Sequence, residues 1–268
     1  GLFARYAGRL GINLWTEGER GEPITLYAGF NEQDEARYIV EQAETWFGDG
    51  HPRRSIAILY RSNAQSRVLE EALLREGIPY RIYGGQRFYE RLEIRNALAY
   101  LRLAQTRDDD PALERVLNTP PRGIGSKTVE KIREVARAEQ IPMWQAIHRT
   151  REQSLLPARA LTALGNFQAL IDDLDRSSET LPLDELTEHV IEVTGLLNYH
   201  RAEKGERGQA RVENLQELVT ATRLFEPEDE EISPLQAFLD SAALDAGEGQ
   251  ADPYELSLIH ISEPTRPY

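Results

Sequence analysis

Residues 55–83 read SIAILYRSNAQSRVLEEALLREGIPYRIY, and this stretch decides the fold class. Ser55-Ile56-Ala57-Ile58-Leu59-Tyr60 is apolar on both faces, the pattern of a strand in a parallel sheet covered by helices. Arg61-Ser62-Asn63 breaks the run. Val68, Leu69, Ala72 and Leu73 then recur at helical spacing until Gly77, and Pro79-Tyr80-Arg81-Ile82-Tyr83 returns to strand. Working backward, Ile24-Thr25-Leu26-Tyr27-Ala28-Gly29-Phe30 reads as a further strand, with Asn31 as the cap of a helix running to Phe47. Ala36, Ile39, Val40, Ala43 and Phe47 share one face of that helix, and Gly48-Asp49-Gly50 ends it. The β-α-β-α-β order predicts a small parallel α/β sheet, with part of the domain missing.

Forward of this stretch the period changes. Residues 90–250 are almost wholly helical in pattern, with helices near 90–105, 111–118, 126–139, 142–152, 157–176, 182–193, 211–225 and 233–246. Pro111, Pro120-Pro121, Pro142, Pro157, Pro182 and Pro234 fall mostly near helix starts, where a missing N–H is tolerated. No period of solenoid length is evident.

Composition narrows the chemistry. The 268 residues contain no cysteine, which excludes a disulfide framework and thiolate-ligated zinc or iron–sulfur centres and predicts a reducing, cytoplasmic setting. No apolar run is long enough to span a membrane. The net charge of −14 argues at first against nucleic acid, but residues 225–255 hold ten acids and no Lys or Arg, leaving −4 for the remainder. Bases collect in two places: Arg115, Arg122, Lys127, Lys131, Arg133 and Arg137, and then Arg201, Lys204, Arg207 and Arg211. Charge alone leaves solvated helix faces and polyanion contacts both open.

No catalytic constellation is present in the sequence, and no metal site is expected. Gly123-Ile124-Gly125-Ser126-Lys127-Thr128 resembles the end of a phosphate loop, yet Ser126 and Pro121 stand where that pattern requires glycine. The five histidines lie at least 11 residues apart, so no helical metal-ligand pair exists. Pro120 to Ile132 reads better as a helix-hairpin-helix: prolines end one helix, Gly123 and Gly125 permit a tight turn, and Ile124 plugs the gap. The amides of Gly125, Ser126 and Lys127 would then face a DNA phosphate from a helix N-terminus, with charge added by Arg122, Lys127 and Lys131. A plain helical bend is the other reading. At the carboxyl end of the strand ending at Tyr60, Arg61, Ser62 and Asn63 stand where open α/β sheets bind ligands, or Ser62 and Asn63 simply cap the next helix.

Several of these strings together resemble one family. They are Ala57 to Leu73, Pro79 to Gly85 with Phe88 to Ile94, Asn118 to Gly125, Gly205 to Leu218, and Leu235 to Leu239. In this order they are similar to the superfamily 1 DNA helicases of the UvrD, PcrA and Rep type, over about residues 8–255. The resemblance implies α/β plus all-α architecture: residues 1–97 as the first portion of a RecA-like motor domain (2A) and 98–255 as a helical inserted domain (2B). Residues 256–268 are set aside, because Leu256 to Arg266 matches the conceptual translation of a sequencing adapter.

The resemblance further implies an ATP-dependent 3′–5′ helicase acting in DNA repair, with ATP and Mg2+ in the intact parent and repair proteins as partners. Arg61, Ser62 and Asn63 would contact single-stranded DNA. Thr119, Arg122, Gly123, Ile124, Gly125, Ser126, Lys127 and Lys131 would meet duplex DNA, and Tyr83, Gly84, Gly85, Phe88, Glu90 and Arg91 would form the hinge. The family's ATP-site segments have no counterpart in residues 1–268, so the chain alone is expected to bind no nucleotide and to be inactive. A stand-alone DNA-binding or protein-docking module is the alternative.

Overall fold

The computed structural model describes residues 22–83, 85–227, 231–247 and 257–261. Helix α1 (Glu32–Gly48) begins where expected: the Asn31 side chain accepts a hydrogen bond from the Asp34 amide at 2.8 Å, and Ala36, Val40 and Ala43 are buried. Strand β1 (Ala57–Tyr60) leads through a short 3-10 turn at 63–65 into α2 (Ser66–Arg75). Gly77 ends α2 in the left-handed region, φ +62°, and the amides of Gly77 and Ile78 bond back to Leu74 and Leu73. Strand β2 (Tyr80–Tyr83) follows.

Two expectations about the sheet need correction. Residues 23–30 form no strand, and Ile24, Leu26 and Phe30 are 88%, 94% and 99% exposed. Their alternating apolar pattern supplies strand propensity, but a strand exists only by pairing, and among the described residues nothing pairs with them. The third strand comes instead from the segment set aside as a tail. Strand β3 (Ser257–Ile261) lies between β1 and β2, parallel to both, with Ile259 opposite Ile58 and Ile82. Strands β1 and β2 leave a gap one strand wide, and Leu258-Ile259-His260-Ile261 has the β-branched character to fill it.

The helical part comprises α3 (Leu92–Gln105), α4 (Asp110–Val116), α5 (Ser126–Glu139), α6 (Met143–Glu152), α7 (Ala158–Ser178), α8 (Leu183–Val193), α9 (Leu196–Arg201), α10 (Glu206–Leu224) and α11 (Pro234–Gly247). Helix α3 is its axis, and α4, α7, α8, α10 and α11 all pack on it. Ile94, Ala97, Tyr100, Leu101 and Leu103 are fully buried, each large apolar side chain contributing about 1.5–3 kcal/mol of burial. Helix α9 and the first turn of α10 were absent from the sequence expectation, where Gly205 and Gly208 obscure the helical pattern.

Two apolar cores result among the described residues. The smaller joins α1, α2, β1 and β2. The larger begins at Phe88 and runs through the helices to Ala242, so the division between cores falls ahead of the expected 97/98 boundary, which lies inside α3. No helix among the described residues is long and apolar enough to cross a membrane.

Candidate nucleic-acid interface

The bend between α4 and α5 is held from several sides. Asn118 Oδ1 accepts the amides of Arg122 (2.7 Å) and Ile124 (3.2 Å), and the Tyr100 hydroxyl donates to the Thr119 carbonyl at 2.7 Å. Ile124 is 1% exposed, as its plug role predicts. Gly123 has φ +79°, a conformation that favours glycine, whereas Gly125 is ordinary extended backbone capping α5. Gly123, Gly125, Ser126 and Lys127 are exposed, and a Cβ built on either glycine would meet no atom within 4 Å. Thr128 and Val129 bond back to the Gly125 carbonyl, while the amides of Gly125, Ser126 and Lys127 have no partner among the described residues.

The bases divide sharply. Lys127 meets no carboxylate among the described residues, and Lys131 pairs with Glu134 at 3.1 Å. Arg122 turns inward, contrary to the charge reading: its guanidinium donates to the carbonyls of Thr194 (2.7 Å) and Pro120 (3.0 Å) and lies over the Tyr100 ring. It is a strap between the bend and the end of α8. Arg133 is bound to Glu114. The bend therefore offers free amides and one free ammonium, with Thr119 half-buried behind them. This segment follows a helix and its neighbouring Arg is committed to carbonyls, so the residues do not fit a triphosphate cradle. Among the described residues no cluster of His, Asp or Glu could hold a metal ion.

A second locus lies at the carboxyl end of β1. The amides of Arg61 and Ser62 both donate to Gln65 Oε1, at 3.0 and 3.1 Å, so Ser62 begins the turn that enters α2. Arg61 is exposed and meets no carboxylate among the described residues; Asn63 Oδ1 is buried without a partner. Of the hinge residues, Tyr83 ends β2, Gly84 lies outside the described residues and Gly85 is exposed. Phe88 and Glu90 lie in a 3-10 turn, with Phe88 1% exposed, and Arg91 is buried at the start of α3.

Around Arg91 the structure brings together buried polar residues that the sequence reading missed. Burial pushes the Glu70 carboxyl up; it accepts from the Phe88 amide and the Tyr80 hydroxyl, each at 3.1 Å. Burial likewise raises Glu217, which the Arg67 charge opposes across a 2.6 Å contact. The signal in the sequence was the run of charges Arg67, Glu70 and Glu71 within an amphipathic helix, which reads as surface until the helical part covers it.

A model of the UvrD-like helicase C-terminal domain matches residues 2–262 of this chain. The chain belongs to that family. Within the UvrD-like family it is 55% identical over 256 residues to DNA helicase II of Escherichia coli, an alignment covering 95% of this chain and 36% of the relative. Identity is 52% to DNA helicase II of Haemophilus influenzae, over 95% of this chain and 35% of that one. For the ATP-dependent DNA helicase PcrA of Bacillus subtilis it is 40%, over 91% and 33%. The chain spans about a third of the length of these relatives. The UvrD-like match runs across β3.

Proposed function

We propose that the chain is the DNA-contacting portion of an ATP-dependent 3′–5′ DNA helicase acting in repair, and that it does not turn over ATP alone. In this reading residues 1–97 belong to motor domain 2A and 98–255 to the inserted helical domain 2B. The bend at Gly123–Lys127 is a helix-hairpin-helix contact for duplex phosphates, Arg61 and Asn63 hold the single strand, and residues 83–91 form the hinge. ATP and Mg2+ act in the intact parent. The relatives named as DNA helicase II and PcrA support this reading.

The observation that carries it is the exposed start of α5. Three unpartnered amides converge there with Lys127, and the positive end of a 14-residue helix favours an anion. Such a contact reads backbone and carries no base sequence. Fluorescence anisotropy with a forked DNA tests the binding half: the chain is expected to bind at low salt, with affinity falling as salt rises and little difference between sequences. Phosphate release with single-stranded DNA tests the other half, and DNA-stimulated turnover by the 268-residue chain would refute it.

A further inference from the structure

Arg91 is 7% exposed, and burial pulls its pKa down. Four of its five N–H donors are nonetheless used. Nη1 donates to the Asn63 carbonyl at 2.8 Å and to Asn214 Oδ1 at 2.9 Å, Nη2 to Ser66 Oγ at 2.6 Å, and Nε to the Gln86 carbonyl at 3.3 Å. Asn63 and Ser66 belong to the α/β unit, whereas Asn214 lies midway along α10. Asn214 is itself fixed, since Nδ2 donates to Glu93 Oε1 at 2.6 Å. Three residues along the same face of α10, Glu217 accepts from Arg67, which also bonds Glu71 at 2.7 Å. Two polar rungs thus join α10 to the turn that follows Arg61-Ser62-Asn63.

Buried polar sets of this kind add little net stability over apolar packing; their best-attested use is to fix one register between elements. Here the register is that of the 61–63 loop against α10. The loop's other ties are local: the Arg61 and Ser62 amides share Gln65 Oε1, the Gln65 amide bonds back to the Ser62 carbonyl at 3.2 Å, and Asn63 Oδ1 has no partner among the described residues.

We propose that Arg91 and Asn214 are positioning residues: docking of α10 fixes the Asn63 carbonyl, and with it the pose in which Arg61 and Asn63 hold single-stranded nucleic acid. The inference rests on the single-strand reading of this loop given above. When α10 leaves the loop, Arg91 loses Asn214, Arg67 loses Glu217, and the hold on the strand weakens while the glycine bend is untouched.

The test uses the 268-residue chain, a labelled oligo-dT and a labelled blunt duplex at low salt. Asn214→Ala is expected to weaken oligo-dT binding about fivefold, the scale of one lost hydrogen bond, and to leave duplex affinity unchanged. In an Arg61→Ala background the same substitution adds much less than its fivefold, because one of the two contacts it steadies is already gone. A merely structural Asn214 would weaken both ligands and add to Arg61→Ala; that result, or unchanged oligo-dT affinity, overturns the proposal. Arg91→Lys keeps the charge but cannot serve all four acceptors, and it carries the test if Asn214→Ala fails to fold. If Arg61→Ala itself changes nothing, the single-strand reading falls. If Arg61→Ala weakens binding and Asn214→Ala does not, only the positioning role falls.

Discussion

The helical part and the α/β unit reach stability by opposite routes. Around α3 the core is continuous from Phe88 to Ala242, assembled by helices whose packing faces are written locally at three-and-four spacing. The α/β unit has four- and five-residue strands, and its middle strand arrives from residue 257, more than 170 residues after β2. Local contacts need little loop closure, whereas this sheet closes only when a distant segment returns. The difference teaches where the molecule is fragile: the sheet, not the bundle, depends on one remote element.

Breaking that element gives the largest expected effect. Ile259→Pro removes a ladder bond in the central strand and is expected to cost about 3 kcal/mol or more. Calorimetry should then show early melting of the α/β unit with the helical transition retained. A single unshifted transition would mean that β3 does not hold the sheet. A comparable loss on the helical side requires deep truncation: Ile124→Ala leaves a cavity worth about 2–5 kcal/mol and frees the bend, seen as a lower melting temperature together with weaker duplex binding.

The two glycines of the bend sharpen the contrast between fold and contact. Gly123→Ala puts a side chain at φ +79° and is expected to cost about 1–2 kcal/mol in urea melts. Gly125→Ala has ordinary backbone and open space, so its stability should change by less than about 0.5 kcal/mol. Equal effects at the two sites would contradict the assigned geometry.

What the sequence made legible follows the same division. Asn31 as a cap, the α2 face with its Gly77 stop, and Ile124 as a buried plug are local features, and each is where its pattern put it. Residues 24–30 carry a strand's alternation without a strand's partner, and 257–261 carry a strand that was excluded on grounds of origin; pairing over such distances has no local signature. Arg122 shows the limit for sites. Its charge was readable, but its direction depends on the Thr194 carbonyl, 72 residues away. Asn214 and Glu217 belong to this class too, since only tertiary packing turns them toward Arg91 and Arg67.

The smallest effect expected is in acid. The Arg133 hydrogen bond holds the Glu114 carboxyl below its ordinary 4.5, and the Arg223 hydrogen bond holds Asp184 below 3.8. A carboxyl whose pKa is lower folded than unfolded adds stability above the unfolded value and loses it as pH falls through the folded one. Glu70 and Glu217 run the other way: raised by burial, they favour the fold in acid, and that contribution fades as pH rises through their folded values. Melting temperature followed from about pH 6 to about pH 3 should therefore fall less steeply in an E114Q/D184N variant. An identical slope would remove these surface pairs from the account.

The central claim is that the start of α5 offers its amides to duplex phosphates. Amide chemical shifts recorded while a short duplex is titrated into the chain test it directly. The Gly125, Ser126 and Lys127 resonances are predicted to move saturably, and alike for two duplexes of unrelated sequence. Duplex binding that shifts other amides and leaves these three in place would contradict it.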